Sequence, residues 1–260
     1  MESVRGTGTE EHSSKDALVL TSITKSFGGV RAVSSATLTV PVGERHALIG
    51  PNGAGKTTLF NIVTGELAAD SGKIEILGID ITRSSVRERA KLGLGRTYQI
   101  SQVFTNLTVE ESLFLAAAAE QTMQFLNPWR KSAKVVNLAR EAAEGVHLTS
   151  YLQRRVSELS HGAQRQLEVG MAIAMRPRLI MLDEPAAGLS PFERLSLTKL
   201  IKSLPRSVTL ILIEHDMDMV LDTADRITVL QHGAVIAEGI PAEIRTNQKV
   251  QEIYLGNFYA

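Results

Sequence analysis

The sequence predicts an α/β fold whose mostly parallel sheet carries a phosphate-binding loop. Three observations lead there. Gly50-Pro51-Asn52-Gly53-Ala54-Gly55-Lys56-Thr57 completes the pattern G-x-x-x-x-G-K-[ST]. Arg45 to Ile49 before it reads as a buried strand, and Thr58 to Val63 after it has helical spacing; strand, loop and helix in that order are what the pattern needs. Leu179 to Leu182 is wholly apolar, as parallel strands buried on both faces are.

The elements follow in chain order. The first sixteen residues are polar, carry both charge signs and lack the apolar core of a signal peptide; residues 1–16 read as a disordered leader. One domain is expected over 17–256, its core at 17–96 and 173–256 and a mostly helical insert at about 97–172. Leu18 to Ile23 and Ala36 to Val40 alternate as strands of a first sheet, with Phe27-Gly28-Gly29 punctuating the connection. Ser71-Gly72-Lys73 turns the chain into a short strand, Ile74 to Leu77. The period becomes helical between Leu107 and Met175, where Thr108-Val109-Glu110-Glu111 looks like an N-cap with an acidic first turn. Asn127-Pro128-Trp129 ends one helix and Lys131 to His147 forms the next. Strand and helix alternate again from Arg178: Leu179 to Leu182, a helix at Phe192 to Leu204, and a strand at Val208 to Ile213. A hairpin over Ile227 to Ala237 turns at His232-Gly233. Neither an internal repeat nor a low-complexity segment interrupts this plan.

Composition sets limits on function. Lys plus Arg and Asp plus Glu are 28 each among 260 residues, without the basic surplus of a nucleic-acid binder. Cysteine is absent, which removes a disulfide framework and thiolate metal sites. No apolar run reaches the roughly 20 residues of a bilayer span; the longest candidate, Leu113 to Ala119, meets Glu120 and Gln121. By itself the chain is expected to be soluble.

The chemistry concentrates in two places. In the glycine loop, backbone N–H groups can turn inward around phosphate oxygens without Cβ clashes, and the helix start adds its positive dipole end. Lys56 would reach the β- and γ-phosphates of a nucleoside triphosphate and the Thr57 hydroxyl would sit on Mg²⁺. Asp183 and Glu184 end an apolar strand, where ligands collect in such sheets. Asp183 suits the metal, directly or through water, and Glu184 suits polarising the attacking water. A plain Asp-Glu helix cap is the simpler alternative for that pair.

Leu159-Ser160-His161-Gly162-Ala163-Gln164 makes a resemblance specific. It is similar to the LSGGQ signature of ABC-type ATPases, departing at His161 and Ala163 and keeping Ser160, Gly162 and Gln164. A serine-capped helix is the competing reading. The resemblance spans about 17–256 and implies a P-loop NTPase core with an N-terminal antiparallel β-subdomain and an inserted helical subdomain. It implies ATP at Asn52, Gly53, Ala54, Gly55, Lys56, Thr57 and Thr58, with Mg²⁺ held by Thr57, Gln99 and Asp183. Glu184 would be the catalytic carboxylate. Gln99 resembles the glutamine that joins the lobes and senses Mg²⁺ and water, and His215 the switch histidine that reaches the γ-phosphate. Phe27 falls where the family stacks an aromatic on adenine, although an aromatic at a strand end is usually packing. Ser160, Gly162 and Gln164 would meet the ATP of a partner. Ser190 stands where the family most often has an aspartate.

One cassette without a sustained heptad repeat separates the chain from two-cassette translation factors and from chromosome-maintenance ATPases. The resemblance implies the energy subunit of an importer, peripheral to the cytoplasmic face of the cell membrane. Its partners would be a second ATP-binding subunit, transmembrane permease subunits and, indirectly, an extracytoplasmic solute-binding protein. Phe27 to Val33, Arg96 to Gln99, Pro185 to Leu189, Pro128-Trp129 and Tyr254-Leu255-Gly256 resemble branched-chain amino acid importer ATPases. Urea importers and lipopolysaccharide exporters share much of this, and a soluble ABC ATPase outside transport is the further alternative. Ile100, Val103, Phe104 and Leu107 could form a groove for a permease helix or pack the lobes together.

Overall fold

The computed structural model describes residues 15–97, 104–119 and 133–255. Strands β1 (Asp16–Phe27) and β2 (Val30–Pro41) form an antiparallel hairpin. Its two-residue turn puts Gly28 at φ 49° and Gly29 at φ 90°, the positive-φ pair that matches the twist of the strands. Both strands outrun the expected spans. Ser22 and Ser35 lie at φ 51° and 50°, and the pairing shifts register between Leu20 and Lys25. Such bulges interrupt the period-2 alternation that sequence reading relies on. Because β1 begins at Asp16, the expected leader overlaps the first sheet at its end.

After β3 (Arg45–Ile49) and α1 (Lys56–Thr64) come β4 (Ser71–Ile76) and the short β5 (Ile79–Asp80). The expected turn at Ser71-Gly72-Lys73 is a correction: these residues are strand, with Lys73 opposite Thr21 and Ser71 opposite Thr24. A Cβ on Gly72 would fall 2.6 Å from the Thr21 carbonyl oxygen, so this glycine serves a close backbone approach. The turn comes later, at Leu77 and Gly78. The first sheet runs β2-β1-β4-β5. Two further short elements, α2 (Val86–Lys91) and β6 (Leu94–Arg96), lead out of it.

The insert contributes α3 (Val109–Ala119), α4 (Ala133–Gly145) and α5 (His161–Ala174). Thr108 and Glu111 close a reciprocal cap at α3: Thr108 Oγ1 accepts from the Glu111 amide at 3.1 Å and Glu111 Oε2 from the Thr108 amide at 2.8 Å. The expected break at Asn127-Pro128-Trp129 and the start at Lys131 lie outside the described residues. The core resumes with β7 (Leu179–Asp183), α6 (Pro191–Ser203), β8 (Thr209–Ile213), α7 (Met217–Thr223), β9 (Arg226–Gln231), β10 (Ala234–Gly239), α8 (Pro241–Thr246) and α9 (Gln248–Leu255). The second sheet runs β10-β9-β3-β8-β7-β6. Its pairings are parallel except β9 with β10.

Strand β7 shows why its sequence is unbroken by polar residues. Ile180 and Leu182 pack with Leu113, Leu138 and Leu167 of the helical insert. Leu179 and Met181 face the opposite way, into Leu20, Leu59 and Ile62 between the sheets. Both faces are dry, so both side-chain sets are apolar. Among the described residues no helix is long and apolar enough to cross a membrane.

Candidate nucleotide site

The loop between β3 and α1 is clamped from outside. Gly55 sits at φ 100°, and a Cβ there would lie 2.3 Å from the Ala32 carbonyl oxygen of β2. The Gly233 amide of the β9–β10 turn donates to the Ala54 carbonyl at 2.9 Å. Gly53, at φ 77°, has nothing within 4 Å of where its Cβ would be, so its backbone faces open space. Gly55 is also the N-cap of α1, which leaves that helix start without a side-chain cap or an acidic residue in the first turn. By contrast, α2, α5, α6 and α7 are capped by Ser85, Ser160, Ser190 and Asp216. The loop thus offers backbone donors and a positive dipole end without an internal anion to satisfy them. Asn52, Gly53 and Thr57 are exposed here, while Ala54 is buried.

Lys56 is buried, and its Nζ donates to the carbonyls of Gly50 at 2.7 Å and Pro51 at 3.1 Å. Burial lowers its pKa, and the charges of Glu184 and Asp183 pull it back up. The phosphate loop and the end of β7 therefore share one electrostatic site, although β8 lies between β3 and β7. Asp183 is 4% exposed. Burial first, and then the neighbouring Glu184 charge, push its pKa up to about 6, with Lys56 opposing. A carboxylate so placed gains from a nearby cation.

Glu184 is in the left-handed region at φ 45°, a backbone state that costs free energy for a non-glycine residue. Its amide donates to Ile213 O at 2.8 Å, and its Oε1 lies 3.9 Å from His215 Nδ1. Strands β7 and β8 thus bring Glu184 and His215 together. The expected partner Gln99 lies outside the described residues. Among the described residues no group of three or more His, Cys, Asp or Glu could hold a metal ion. The Thr57 hydroxyl and the Asp183 carboxylate are hard oxygen donors of the kind Mg²⁺ takes alongside phosphate and water.

Phe27 is half exposed, its ring 5.6 Å from Lys25 Nζ; it is not core packing. Ser160 caps α5 by accepting from the Ala163 amide at 3.2 Å. Gln164 turns inward, donating to the carbonyls of Val156 at 3.2 Å and Leu159 at 3.4 Å, so it braces the loop that carries Ser160. Phe104, Asn106, Leu107 and Leu115 line a groove of about 400 Å³ on the insert.

Comparison with known proteins now decides the family. Residues 33–187 match the family described as ABC transporter. The chain belongs to that family. It is an ATP-binding cassette and an ATPase whose hydrolysis is coupled to transport. Residues 234–260 of this cassette match a second family, described as branched-chain amino acid ATP-binding cassette transporter. The high-affinity branched-chain amino acid transport ATP-binding protein BraF of Pseudomonas aeruginosa is 38% identical over 252 residues, 94% of this chain and 99% of that one. LivG of Escherichia coli, of the same description, is 37% identical over 239 residues, 88% of this chain and 94% of its own. A solved ATP-binding cassette of an ABC transporter in its ADP conformation superposes with a TM-score of 0.83 at 32% identity, covering 94% of this chain and 100% of that one. A nucleotide-free cassette gives 0.81 at 31% identity, covering 92% and 98%.

Two carboxylates in the cassette escaped the sequence reading. Glu214 is fully buried; its Oε1 accepts from Ala186 N at 2.8 Å and its Oε2 from His215 N at 3.0 Å. It joins the loop after Glu184 to the loop holding His215. In sequence it is one more acid after an apolar strand. Glu193 was more legible: Ser190-Pro191-Phe192-Glu193 is a capping-box pattern with proline at the first helical position, and the structure closes that box.

Proposed function

We propose that this cassette binds ATP with Mg²⁺ on the Lys56 loop and hydrolyses it to drive a separate membrane permease carrying branched-chain or related amino acids. The single observation that carries the nucleotide site is the uncapped start of α1 beside buried Lys56 and Asp183 and half-buried Glu184. Asn52 to Thr58 would wrap the phosphates, and Phe27 would lie against the adenine. Thr57, Asp183 and Gln99 would hold Mg²⁺, which would supply positive charge against the phosphates. Glu184 would accept a hydrogen bond from the attacking water and His215 would contact the γ-phosphate.

Two protomers, either copies of this chain or this chain and a sister subunit, would face head to tail. Ser160 and Gly162 of one would then reach the γ-phosphate held by Lys56 of the other. ATP joins the pair because its terminal phosphate touches both, and hydrolysis removes that contact. The groove at Phe104 and Leu107 would receive a permease helix at the cytoplasmic face of the membrane. The substrate assignment is supported by the family matched at residues 234–260 and by relatives described as branched-chain amino acid transport proteins. A solute-binding protein outside the membrane would select it.

The test is Glu184→Gln. It should retain ATP binding and lose roughly 10²–10⁴ in turnover, the contribution of a positioned base. Hydrolysis near the parent rate would remove Glu184 from the chemistry.

A further inference from the structure

The first turn of α6 holds two functional loops at once. Glu193 Oε2 accepts from Ser190 N at 3.1 Å and Ser190 Oγ at 2.8 Å, which closes the cap of its own helix. The other oxygen is directed elsewhere. Oε1 accepts from the Gly162 amide at 2.9 Å, and the Ser160 side chain lies close enough to help hold that carboxylate ionised. A Cβ on Gly162 would lie 2.7 Å from Glu193 Cγ and Oε1. His161 also leans on the loop before α6, its Cε1 3.2 Å from where a Gly188 Cβ would be. On the far side of the same turn, Arg194 pairs with Asp216, next to His215. A helix cap needs the Ser190 contacts alone; the Gly162 contact lies outside it.

We propose that Glu193 is a positioning residue of the signature loop: its carboxylate holds the Gly162 amide until the terminal phosphate of a facing copy's nucleotide takes that donor over. The inference rests on the paired arrangement proposed above. Gly162 N–H and Ser160 Oγ are the groups assigned there to the partner's phosphate; Glu193 already engages the first and lies beside the second. Two anions beside one donor repel each other, so closure of the pair requires Glu193 to give way. Glu193 thereby sets how much ATP is needed to bring two protomers together. It leaves the nucleotide affinity of the Lys56 loop unchanged. Through Arg194 and Asp216 the same turn is tied to the segment carrying His215, so its displacement is felt beside the protomer's own Glu184.

The test compares Glu193→Gln with its parent, both carrying Glu184→Gln so that ATP persists. Pairing is read by light scattering against Mg-ATP concentration, and single-protomer binding by calorimetry with Mg-ADP. Glutamine preserves the cap. Pairing should need roughly 10-fold less ATP, the worth of about one charge-assisted hydrogen bond, with ADP affinity unchanged. Ser190→Ala is the control, since it weakens the cap and keeps the carboxylate; it should lower thermal stability without lowering the ATP requirement. A parent that pairs while Glu193→Gln needs as much ATP or more overturns the proposal and leaves the paired reading intact. An equal drop in Ser190→Ala assigns the effect to the cap and also overturns it. A parent that never pairs at saturating Mg-ATP removes the pairing of copies, and the proposal with it.

Discussion

Asp183→Asn should stabilise the nucleotide-free protein while disabling it. The wild-type carboxylate is 4% exposed, and burial with the Glu184 charge raises its pKa from 3.8 to about 6. A carboxyl whose folded pKa lies above its unfolded value opposes folding once ionised. Its full cost is therefore present above about pH 6, shrinks as pH falls through that value, and is gone below the unfolded value of 3.8. At about 1.4 kcal/mol per pKa unit, a rise of about two units is a cost on the order of 3 kcal/mol. The isosteric, neutral Asn removes it. A chain of this size gains about 2–4 °C per kcal/mol, so thermal melts at pH 8 without nucleotide should rise by roughly 6–12 °C. The gap between variant and wild type should close as the melts are repeated toward pH 4. Mg²⁺-dependent ATP turnover should fall at every pH. A variant no more stable than wild type at pH 8, or a gap independent of pH, would refute the argument from burial.

Lys56→Ala should abolish productive Mg-ATP binding by calorimetry, because the loop loses its only buried cation while Asp183 and Glu184 remain. Unchanged affinity and turnover would move the phosphate site elsewhere. Phe27→Ala should weaken ATP binding several-fold, about one stacked-ring contact, with little change in melting temperature, since the ring is half exposed. A large loss of stability instead would make Phe27 a packing residue. Gly162→Asp should leave Mg-ADP binding intact and block ATP-dependent pairing. Its Cβ would crowd Glu193, and a second carboxylate would repel both Glu193 and an incoming phosphate. Normal pairing by light scattering would refute that contact.

What the sequence made legible follows from periodicity and from special backbone geometry. Strands β7 and β8 are buried along their whole length, so their apolar runs needed no interpretation. The phosphate loop was equally plain, because its glycines and Lys56 are fixed by local geometry. The ends of β1 and β2 were lost where Ser22 and Ser35 break the alternation. Gly72 was read as a turn because glycine signals both turns and close strand packing, and only the β1 backbone beside it tells which. Two-residue β5 and three-residue β6 are too short to carry a period. In the site, the charges of Asp183 and Glu184 act on Lys56, and Glu184 Oε1 lies 3.9 Å from His215 Nδ1. Glu214 was missed because its partners lie across two loops, and contacts of that range have no local pattern. The dual engagement of Glu193 was missed for the same reason, although half of it, the cap on Ser190, is written in four consecutive residues.

The central claim is that one nucleotide lies between the Lys56 loop of one protomer and the Ser160 loop of another. The natural chain has no cysteine, so single cysteines placed at exposed Asn52 in one sample and exposed His161 in another can report on it directly. Mixed copies of Asn52→Cys and His161→Cys should form a disulfide-linked dimer under mild oxidation with Mg-ATP, and little of it with Mg-ADP. A cross-link yield indifferent to the nucleotide, or absent with Mg-ATP, would contradict the shared site between copies of this chain.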